Sequence, residues 1–233
     1  MCEDCGCGDT KLVPVDVHAR ILEGNDRVAR HNREHFEEAG VLAVNLMGSP
    51  GSGKTALLEA MMRHAGGRTL RVGAVSGDLA TERDADRLRD AGIPSRAITT
   101  GNACHLDAEM VHEALHHIAW RELDAFFIEN VGNLVCPAVY DLGQDANVVA
   151  LSVTEGEDKP LKYPTMFRKA NLVVVTKIDL LPALPDFDFD ALRDALARVM
   201  PKPAMVRVSA RSGEGMDEWM RWLDARRPRG RDR

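Results

Sequence analysis

Two kinds of segment alternate along the chain. Short, continuously apolar runs bounded by turn residues predict buried strands, and the first is VLAVNLM at Val41–Met47. Apolar residues recurring every three or four positions predict helices at about 16–39, 54–65, 81–91, 106–119, 190–199 and 215–224. Further strands are predicted at Leu70–Val75, Ala125–Ile128, Val148–Val153, Leu172–Thr176 and Val206–Ser209.

Strands separated by helical segments indicate βαβ units. The predicted fold class is therefore α/β, with a mainly parallel twisted sheet flanked by helices. Residues 16–225 are expected to form this domain, including the leading helix. Residues 1–15 are expected to be a flexible Cys-rich tail, and residues 226–233, RRPRGRDR, a disordered basic tail.

Composition narrows the possible partners. The 233 residues hold 30 Lys and Arg against 36 Asp and Glu, a formal net charge of −6, which excludes a generally basic nucleic-acid-binding surface. No apolar run approaches the ~18 residues of a membrane helix. The first residues, MCEDCGCGDT, show neither a basic nor an apolar signal region, so we expect a cytoplasmic chain. The odd count of 5 cysteines argues against a disulfide framework.

A complete G-x-x-x-x-G-K-[ST] pattern follows the first predicted strand, and its glycines let backbone N–H groups surround phosphates. The next helix presents its positive N-terminus, Lys54 reaches the β- and γ-phosphates, and the Thr55 hydroxyl binds Mg²⁺. The pattern predicts nucleotide binding. This P-loop comprises Gly48, Ser49, Pro50, Gly51, Ser52, Gly53, Lys54 and Thr55.

The nucleotide base is predicted from two later segments. Thr176, Lys177 and Asp179 form a variant of the N-K-x-D guanine motif, in which Asp179 accepts from N1–H and the exocyclic amine of guanine. The aliphatic stem of Lys177 can cover the purine face. Ser209-Ala210-Arg211 matches the loop that supports guanine recognition, so GTP is favoured over ATP. Thr176 replaces an Asn whose amide helps to brace the base.

The acidic group near Mg²⁺ is predicted at Glu129, directly after the strand Ala125–Ile128. Gly132 can then sense the γ-phosphate through its N–H. Asp78 is a second Mg²⁺-side candidate, or else an acid that stabilises the following helix. With Lys54 these groups would carry GTP hydrolysis to GDP and phosphate. No obvious Gln or Arg is placed to orient water, which predicts slow hydrolysis.

Three thiols lie within six residues at Cys2, Cys5 and Cys7. Soft thiolates suit Zn²⁺, Cu(I) and Ni²⁺, and a nearby α-amine can supply a fourth donor. A redox C-x-x-C pair or a reduced tail without metal remains the alternative.

A second candidate metal site combines Cys104 and His105 with Cys136, leaving a position for water or a partner chain. The alternative is a small buried Cys with a capping His. A metal on Cys136 would be tied to the order of residues 129–137. The other histidines considered are expected to be solvated on helix surfaces: His31, His35, His64, His112, His116 and His117.

Six segments carry a resemblance to a known family: CEDCGCG (2–8), GSPGSGKT (48–55), GDLATERDADRL (77–88), TTGNACHLDAEMV (99–111), ENVGNLVCP (129–137) and TKIDLLP (176–182). With them the chain resembles the HypB family, nickel-insertion GTPases of hydrogenase maturation and members of the SIMIBI-type P-loop GTPases. The resemblance implies delivery of Ni²⁺ to the [NiFe]-hydrogenase large subunit, together with HypA, a small zinc-binding accessory protein.

The resemblance also assigns the cysteines. Cys2, Cys5 and Cys7 match the tight N-terminal nickel motif of the family. Cys104, His105 and Cys136 match its second site, which takes nickel or zinc at a nucleotide-promoted homodimer interface. The long His-rich stretches of some relatives are missing from this sequence, so nickel storage is not expected.

Two other function classes stay open at the level of sequence. In a plain switch GTPase the cysteines bind only structural zinc, and nucleotide leaves metal affinity unchanged. A P-loop kinase needs a phosphate acceptor, and we see no lid-like Arg-rich insert to support one.

Overall fold

The computed structural model describes residues 15–65, 70–78, 81–101 and 103–228. Within these residues one sheet of seven parallel strands forms, in the order β3-β2-β4-β1-β5-β6-β7. The α/β fold class is confirmed. The strands are β1 Leu42–Met47, β2 Val72–Asp78, β3 Ser95–Thr99, β4 Ala125–Glu129, β5 Ala146–Ser152, β6 Leu172–Thr176 and β7 Met205–Arg207.

Helices cover both faces of the sheet, as a parallel sheet requires. The helices are α1 Val15–Ala39, α2 Lys54–Ala65, α3 Arg83–Asp90, α4 Ala108–Leu115, α5 Lys159–Lys162, α6 Pro164–Lys169, α7 Phe189–Val199 and α8 Met216–Asp224. The continuous apolar runs in the sequence follow from this arrangement. Every residue of β1, β4 and β6 is buried, because successive side chains enter opposite cores.

The strand order brings the candidate site to one edge. β1 is central and pairs with β4 on one side and β5 on the other. Loops that leave the carboxyl ends of parallel strands share an edge, where open α/β sheets bind their ligands. The P-loop and the segment after β4 are therefore neighbours.

Several predicted boundaries differ from the structure. β3 was not predicted, since its sequence SRAIT is short and half-exposed at the sheet edge. The two short helices α5 and α6 were also missed, because each begins at or beside a proline and neither has an apolar period. The helix predicted over 106–119 ends earlier, at Leu115, and a separate 3₁₀ turn follows at Trp120–Glu122.

Both ends of the chain lie largely outside the described residues. The predicted N-terminal metal ligands Cys2, Cys5 and Cys7 are among those not described. At the other end, the Arg226 guanidinium stacks on Trp222 at 3.9 Å, and Arg227 pairs with Asp124 at 3.3 Å. The first two residues of the predicted basic tail thus pack on the domain. None of the helices in the described ranges has the length and apolarity needed to cross a bilayer.

Candidate functional site

The P-loop folds as a tight turn between β1 and α2. Gly48, Gly51 and Gly53 adopt positive φ angles of 149°, 74° and 92°. A Cβ on Gly48 would lie 2.5 Å from the carbonyl oxygen of Ala150, so a side chain there would collide with β5. The glycines thus permit the compact loop that the motif predicts, and the N-terminus of α2 opens directly behind it.

The Lys54 side chain is folded back onto the loop. Its Nζ donates to the carbonyl oxygens of Gly48 at 3.3 Å and Ser49 at 3.2 Å, and the residue is 8% exposed. Burial lowers the pKa of Lys54 below its ordinary value, although the carboxylate of Glu129 opposes this. The ammonium group therefore lies within the turn that the motif shapes for phosphates.

Glu129 is buried at the end of β4 and accepts a hydrogen bond from Thr55 Oγ1 at 2.6 Å. Ser76 Oγ donates to its other oxygen at 3.5 Å. Burial is the main cause that raises the pKa of Glu129 to about 7. Oxygen donors from Thr55 and Glu129 therefore adjoin each other, the donor set that suits a hard cation such as Mg²⁺.

The buried carboxyl group makes the stability of the nucleotide-free chain depend on pH. The fold favours the protonated form of Glu129. The carboxyl group therefore makes its full contribution to the free energy of unfolding below its ordinary pKa, and this contribution is lost as pH rises through about 7. We expect Glu129→Gln to raise the free energy of unfolding at pH 8 by a few kcal/mol, and by clearly less at pH 5.

Urea denaturation of nucleotide-free protein at both pH values checks this expectation. The matched control is Glu113→Gln, since Glu113 is exposed on α4. Equal gains at pH 5 and pH 8, or a loss at pH 8, would contradict the assignment.

A cavity of about 460 Å³ lies between the P-loop and the ends of β2 and β4. Asp78 lines it together with Thr55 and Glu129, which agrees with an Mg²⁺-side position. Its carboxylate accepts from the backbone N–H of Thr81 at 3.0 Å. Asp78 is outside the first turn of α3, because that helix begins at Arg83.

Arg87 also lines the cavity, which the sequence reasoning missed. Its guanidinium is already engaged, with 2.9 Å hydrogen bonds to both carboxylate oxygens of Glu59 and a 3.1 Å bond to Asp84. These contacts raise the pKa of Arg87 above its ordinary value, the bonds to Glu59 foremost. The signal was present in the segment GDLATERDADRL, where Asp84 and Arg87 are three positions apart on a helix.

Thr176 and Lys177 both contact the P-loop. The Thr176 hydroxyl donates to the carbonyl oxygen of Ser52 at 2.6 Å, and Lys177 Nζ donates to that of Gly51 at 2.7 Å. Lys177 adopts a left-handed backbone with φ of 59°, unusual outside glycine. Thr176, which stands where the guanine motif commonly has Asn, therefore links the predicted base site to the phosphate loop by a hydrogen bond.

Asp179 is held by the second predicted guanine segment. Ser209 Oγ donates to Asp179 Oδ1 at 2.7 Å, and it accepts from the backbone N–H groups of Arg211 and Ser212 at 3.2 and 3.1 Å. Arg63 of α2 donates to the carbonyl oxygen of Ala210 at 3.0 Å, which ties the loop after β7 to that helix. The structure thus brings the two segments together after β6 and β7.

Cys104, His105 and Cys136 converge as the sequence predicts, with one ligand atom of each within 4.8 Å of the others. The two sulfurs are 2.9 Å apart and both thiols are free. The hydrogen bond with Cys104 is the main cause that raises the pKa of Cys136, whereas burial lowers that of His105. The His105 ring stacks on Tyr140 at 3.9 Å. Two sulfurs and one imidazole suit a borderline-soft ion such as Zn²⁺ or Ni²⁺.

The segment after β4 joins this thiol site to the P-loop. A Cβ on Gly132 would lie 2.9 Å from Pro50, so the two loops are in close contact. Asn133 forms an isolated antiparallel bridge with Gly48. Cys136 follows only three residues later.

A row of side-chain amides crosses the sheet beneath the two loops. Asn130 Oδ1 accepts from the backbone N–H of Leu106 at 3.3 Å, and its Nδ2 donates to Asn45 at 3.1 Å. Asn45 donates in turn to Asn147 at 3.0 Å, which also accepts from Gln144 at 3.1 Å. The row therefore connects the residue after His105 with the residue after Glu129.

Comparison with known proteins gives the family. Residues 42–207, from the start of β1 to the end of β7, match the family model described as CobW/HypB/UreG, nucleotide-binding domain. The hydrogenase maturation factor HypB of Azotobacter vinelandii is 51% identical over 222 residues, 95% of this chain and 72% of that protein. The chain belongs to the HypB family of hydrogenase maturation factors. The resemblance stated from the six sequence segments is confirmed.

Solved structures of the HypB family agree with the fold. HypB from Helicobacter pylori in complex with nickel has a TM-score of 0.83 and 38% identity, over 88% of this chain and 95% of that one. HypB from Archaeoglobus fulgidus has a TM-score of 0.79 and 39% identity, over 88% of this chain and 98% of that one. The P-loop nucleotide-binding fold predicted from the sequence is therefore the fold of the HypB family.

Proposed function

We propose that this chain is a GTP-hydrolysing nickel metallochaperone that helps to insert nickel into the [NiFe]-hydrogenase large subunit. Metal binding at Cys104, His105 and Cys136 would be coupled to GTP-dependent homodimerisation. The observation that carries the proposal is the contact of the segment 129–137 with the P-loop at one end and its thiol ligand at the other.

Support for GTP comes from the base site. Asp179 Oδ1 accepts from Ser209, and the carboxylate has a second oxygen that can accept from a base. Guanine offers two donors to such an acceptor, N1–H and the exocyclic amine, whereas adenine offers no matching pair.

Hydrolysis needs charge neutralisation around the transferred phosphoryl group. Lys54 supplies a positive charge within the P-loop. Thr55, Asp78 and Glu129 would hold Mg²⁺, which neutralises phosphate charge when bound. Arg87, the arginine among the described residues that line the cavity, is held by Glu59 and Asp84. With its guanidinium engaged there, we expect slow intrinsic turnover.

A γ-phosphate would be sensed by the loop that carries Cys136. Gly132 lines the cavity and lies against Pro50 of the P-loop, so nucleotide bound there would act on the residues that follow. Asn130 adds a second link, because its side chain holds the backbone after His105. Cys136 thus follows Gly132 of the cavity lining by four residues. His105 precedes Leu106, whose backbone N–H is bonded to Asn130 of the same lining.

The homodimer proposal is supported by an exposed apolar strip. Val135 and Val139 flank Cys136 and are 53% and 37% exposed. They are among the large apolar side chains that the described chain leaves in solvent. A second copy seated here would bury them and bring two sets of metal ligands together.

Cys2, Cys5 and Cys7 are proposed as a separate site of soft thiolate donors, and membership of the HypB family implies that it binds nickel tightly. A HypA-like accessory protein and the hydrogenase large subunit are the proposed partners in nickel transfer. Both follow from membership of the family and from the soft donor sets rather than from a contact surface.

An anaerobic titration with Ni²⁺ and Zn²⁺ tests the proposal, with and without a non-hydrolysable GTP analogue. Thiolate-to-metal absorption is followed in the native chain, in the triple variant Cys2→Ala, Cys5→Ala and Cys7→Ala, and in Cys136→Ala. The two variants serve as matched controls, since each removes thiols from one site only. Sedimentation under the same conditions reports the oligomeric state.

We expect two separable sites. The tight one is lost in the triple variant, and the weaker one is lost in Cys136→Ala and shifts in affinity with nucleotide. Dimer formation should follow the analogue. If only zinc binds and nucleotide changes neither affinity nor mass, a plain switch GTPase with structural zinc describes the chain better.

A further inference from the structure

Three histidines from two helices meet on the face of the domain formed by α1 and α4. His31 and His35 are one turn apart on α1, and His112 is on α4. One imidazole nitrogen of each lies within 4.8 Å of the others. We infer that His31, His35 and His112 form a further metal site, which takes a divalent first-row transition ion such as Ni²⁺ or Zn²⁺ through imidazole nitrogens.

The rings are packed closely. The centroid of His31 is 4.1 Å from that of His35 and 5.2 Å from that of His112, and the last two centroids are 5.9 Å apart. Rings from both helices thus lie close enough for their nitrogens to share one ion. Neutral imidazole is the form that binds metal ions.

The tautomer of His112 is fixed by its neighbour. Asn32 Nδ2 donates to the backbone carbonyl oxygens of Ala108 at 2.9 Å and Leu142 at 3.3 Å, so its Oδ1 must face the other way. That oxygen lies 2.9 Å from His112 Nδ1, which therefore carries the proton. The lone pair is then on Nε2. A hydrogen bond of this kind orients a ligating histidine in many metal sites.

His35 is prepared as a ligand by its surroundings. Burial lowers the pKa of His35, with the nearby His31, Arg121 and His112 acting in the same direction and Glu38 opposing them. Its ring stacks on Trp120 at 5.9 Å, which limits its rotation. The packing of the ring against Trp120 therefore holds it beside His31 and His112.

Solvent reaches the cluster through a surface cleft. His35, His112, His116 and Trp120 line this cleft, which supplies a path for an ion and for water ligands. His116 lies one turn after His112, with the ring centroids 5.1 Å apart. Three imidazoles with remaining open positions suit nickel, zinc or copper, and they do not suit Mg²⁺ or Ca²⁺, which prefer oxygen.

The site is chemically distinct from the thiol sites. It holds no sulfur, and its ligands span α1 and α4, which pack against each other. An ion bound here would therefore cross-link the leading helix to the helix that begins just after His105. Binding to the native state alone should raise the thermal midpoint of the chain.

Calorimetric titration with NiCl₂ and ZnCl₂ tests the inference in full-length protein. The parent is compared with His31→Gln and His112→Gln, and with the control His117→Gln, whose side chain is exposed just after α4 and outside the cluster. Each protein is titrated in the native background and with its five cysteines replaced by Ser. Because His31 is exposed, its substitution leaves the core untouched.

We expect the two cluster variants to bind one equivalent less, or to bind it at least about tenfold more weakly, in both backgrounds. His117→Gln should match the parent. Imidazole ¹H–¹⁵N spectra should show zinc shifting Nε2 of His112 while Nδ1 stays protonated. If both cluster variants titrate like His117→Gln, or if zinc leaves these imidazole signals unchanged, the inferred site is overturned.

Discussion

Asp179→Asn is expected to weaken GTP binding by on the order of 100-fold and to favour xanthosine triphosphate instead. The carboxylate would accept two hydrogen bonds from guanine, and each charge-assisted bond contributes roughly 1.5–3 kcal/mol. An Asn side chain keeps one acceptor, which Ser209 already engages at Asp179 Oδ1, and it turns a donor toward the exocyclic amine. Xanthine carries a carbonyl oxygen at that position and so restores the match.

Competition with a fluorescent nucleotide measures both affinities. Asp186→Asn is the matched control, since Asp186 is an exposed residue of the loop before α7. The base assignment fails if Asp179→Asn binds GTP like the parent, or if it loses both triphosphates equally.

Lys54→Met is expected to lower the GTP turnover rate by about 10²- to 10³-fold, the loss typical of removing one preorganised group that stabilises transition-state charge. Methionine nearly matches the length of the lysine side chain and fills the same buried space. Because burial lowers the pKa of Lys54, the charged form opposes folding at neutral pH. The nucleotide-free variant should therefore be no less stable than the parent.

Phosphate release under single-turnover conditions reports the chemical step, and a thermal scan of nucleotide-free protein reports stability. Lys202→Met, in an exposed loop, is the control. A variant that hydrolyses GTP at the parental rate would remove Lys54 from the proposed mechanism. One that unfolds well below the parent would mean that the ammonium group has a structural role.

The strands that the sequence predicts most directly are the central ones, which are buried on both faces. β1, β4 and β6 appear in the sequence as continuous apolar runs because helices cover both sides of the sheet. β3 has only one neighbour and a mixed sequence, so its pairing with β2 decides its structure rather than its own pattern. The pattern of apolar and polar residues predicts a strand poorly when pairing with a distant segment determines its structure.

In the candidate site too, local motifs could be predicted from the sequence, whereas contacts between distant positions could not. The P-loop motif is contiguous, since a single turn supplies its phosphate contacts, and it could be identified directly. The bond from Thr176 to Ser52 spans 124 positions, and no spacing rule gives it. His31 is exposed, as expected, but His35 and His112 are half-buried, and no spacing rule shows that α1 and α4 bring these three rings together from positions about 80 apart.

The amide row has a direction. Each carboxamide in it has one donating and one accepting end, so turning Asn45 by half a turn would set nitrogen against nitrogen at Asn130 and oxygen against oxygen at Asn147. Asn130 cannot turn either, because it faces the backbone N–H groups of Leu106 and Val131. The polarity of the whole row is thus dictated from the loop that follows His105. A rearrangement of that loop that turned Asn130 would therefore leave amide groups unpaired as far as β5, unless the whole row turned with it.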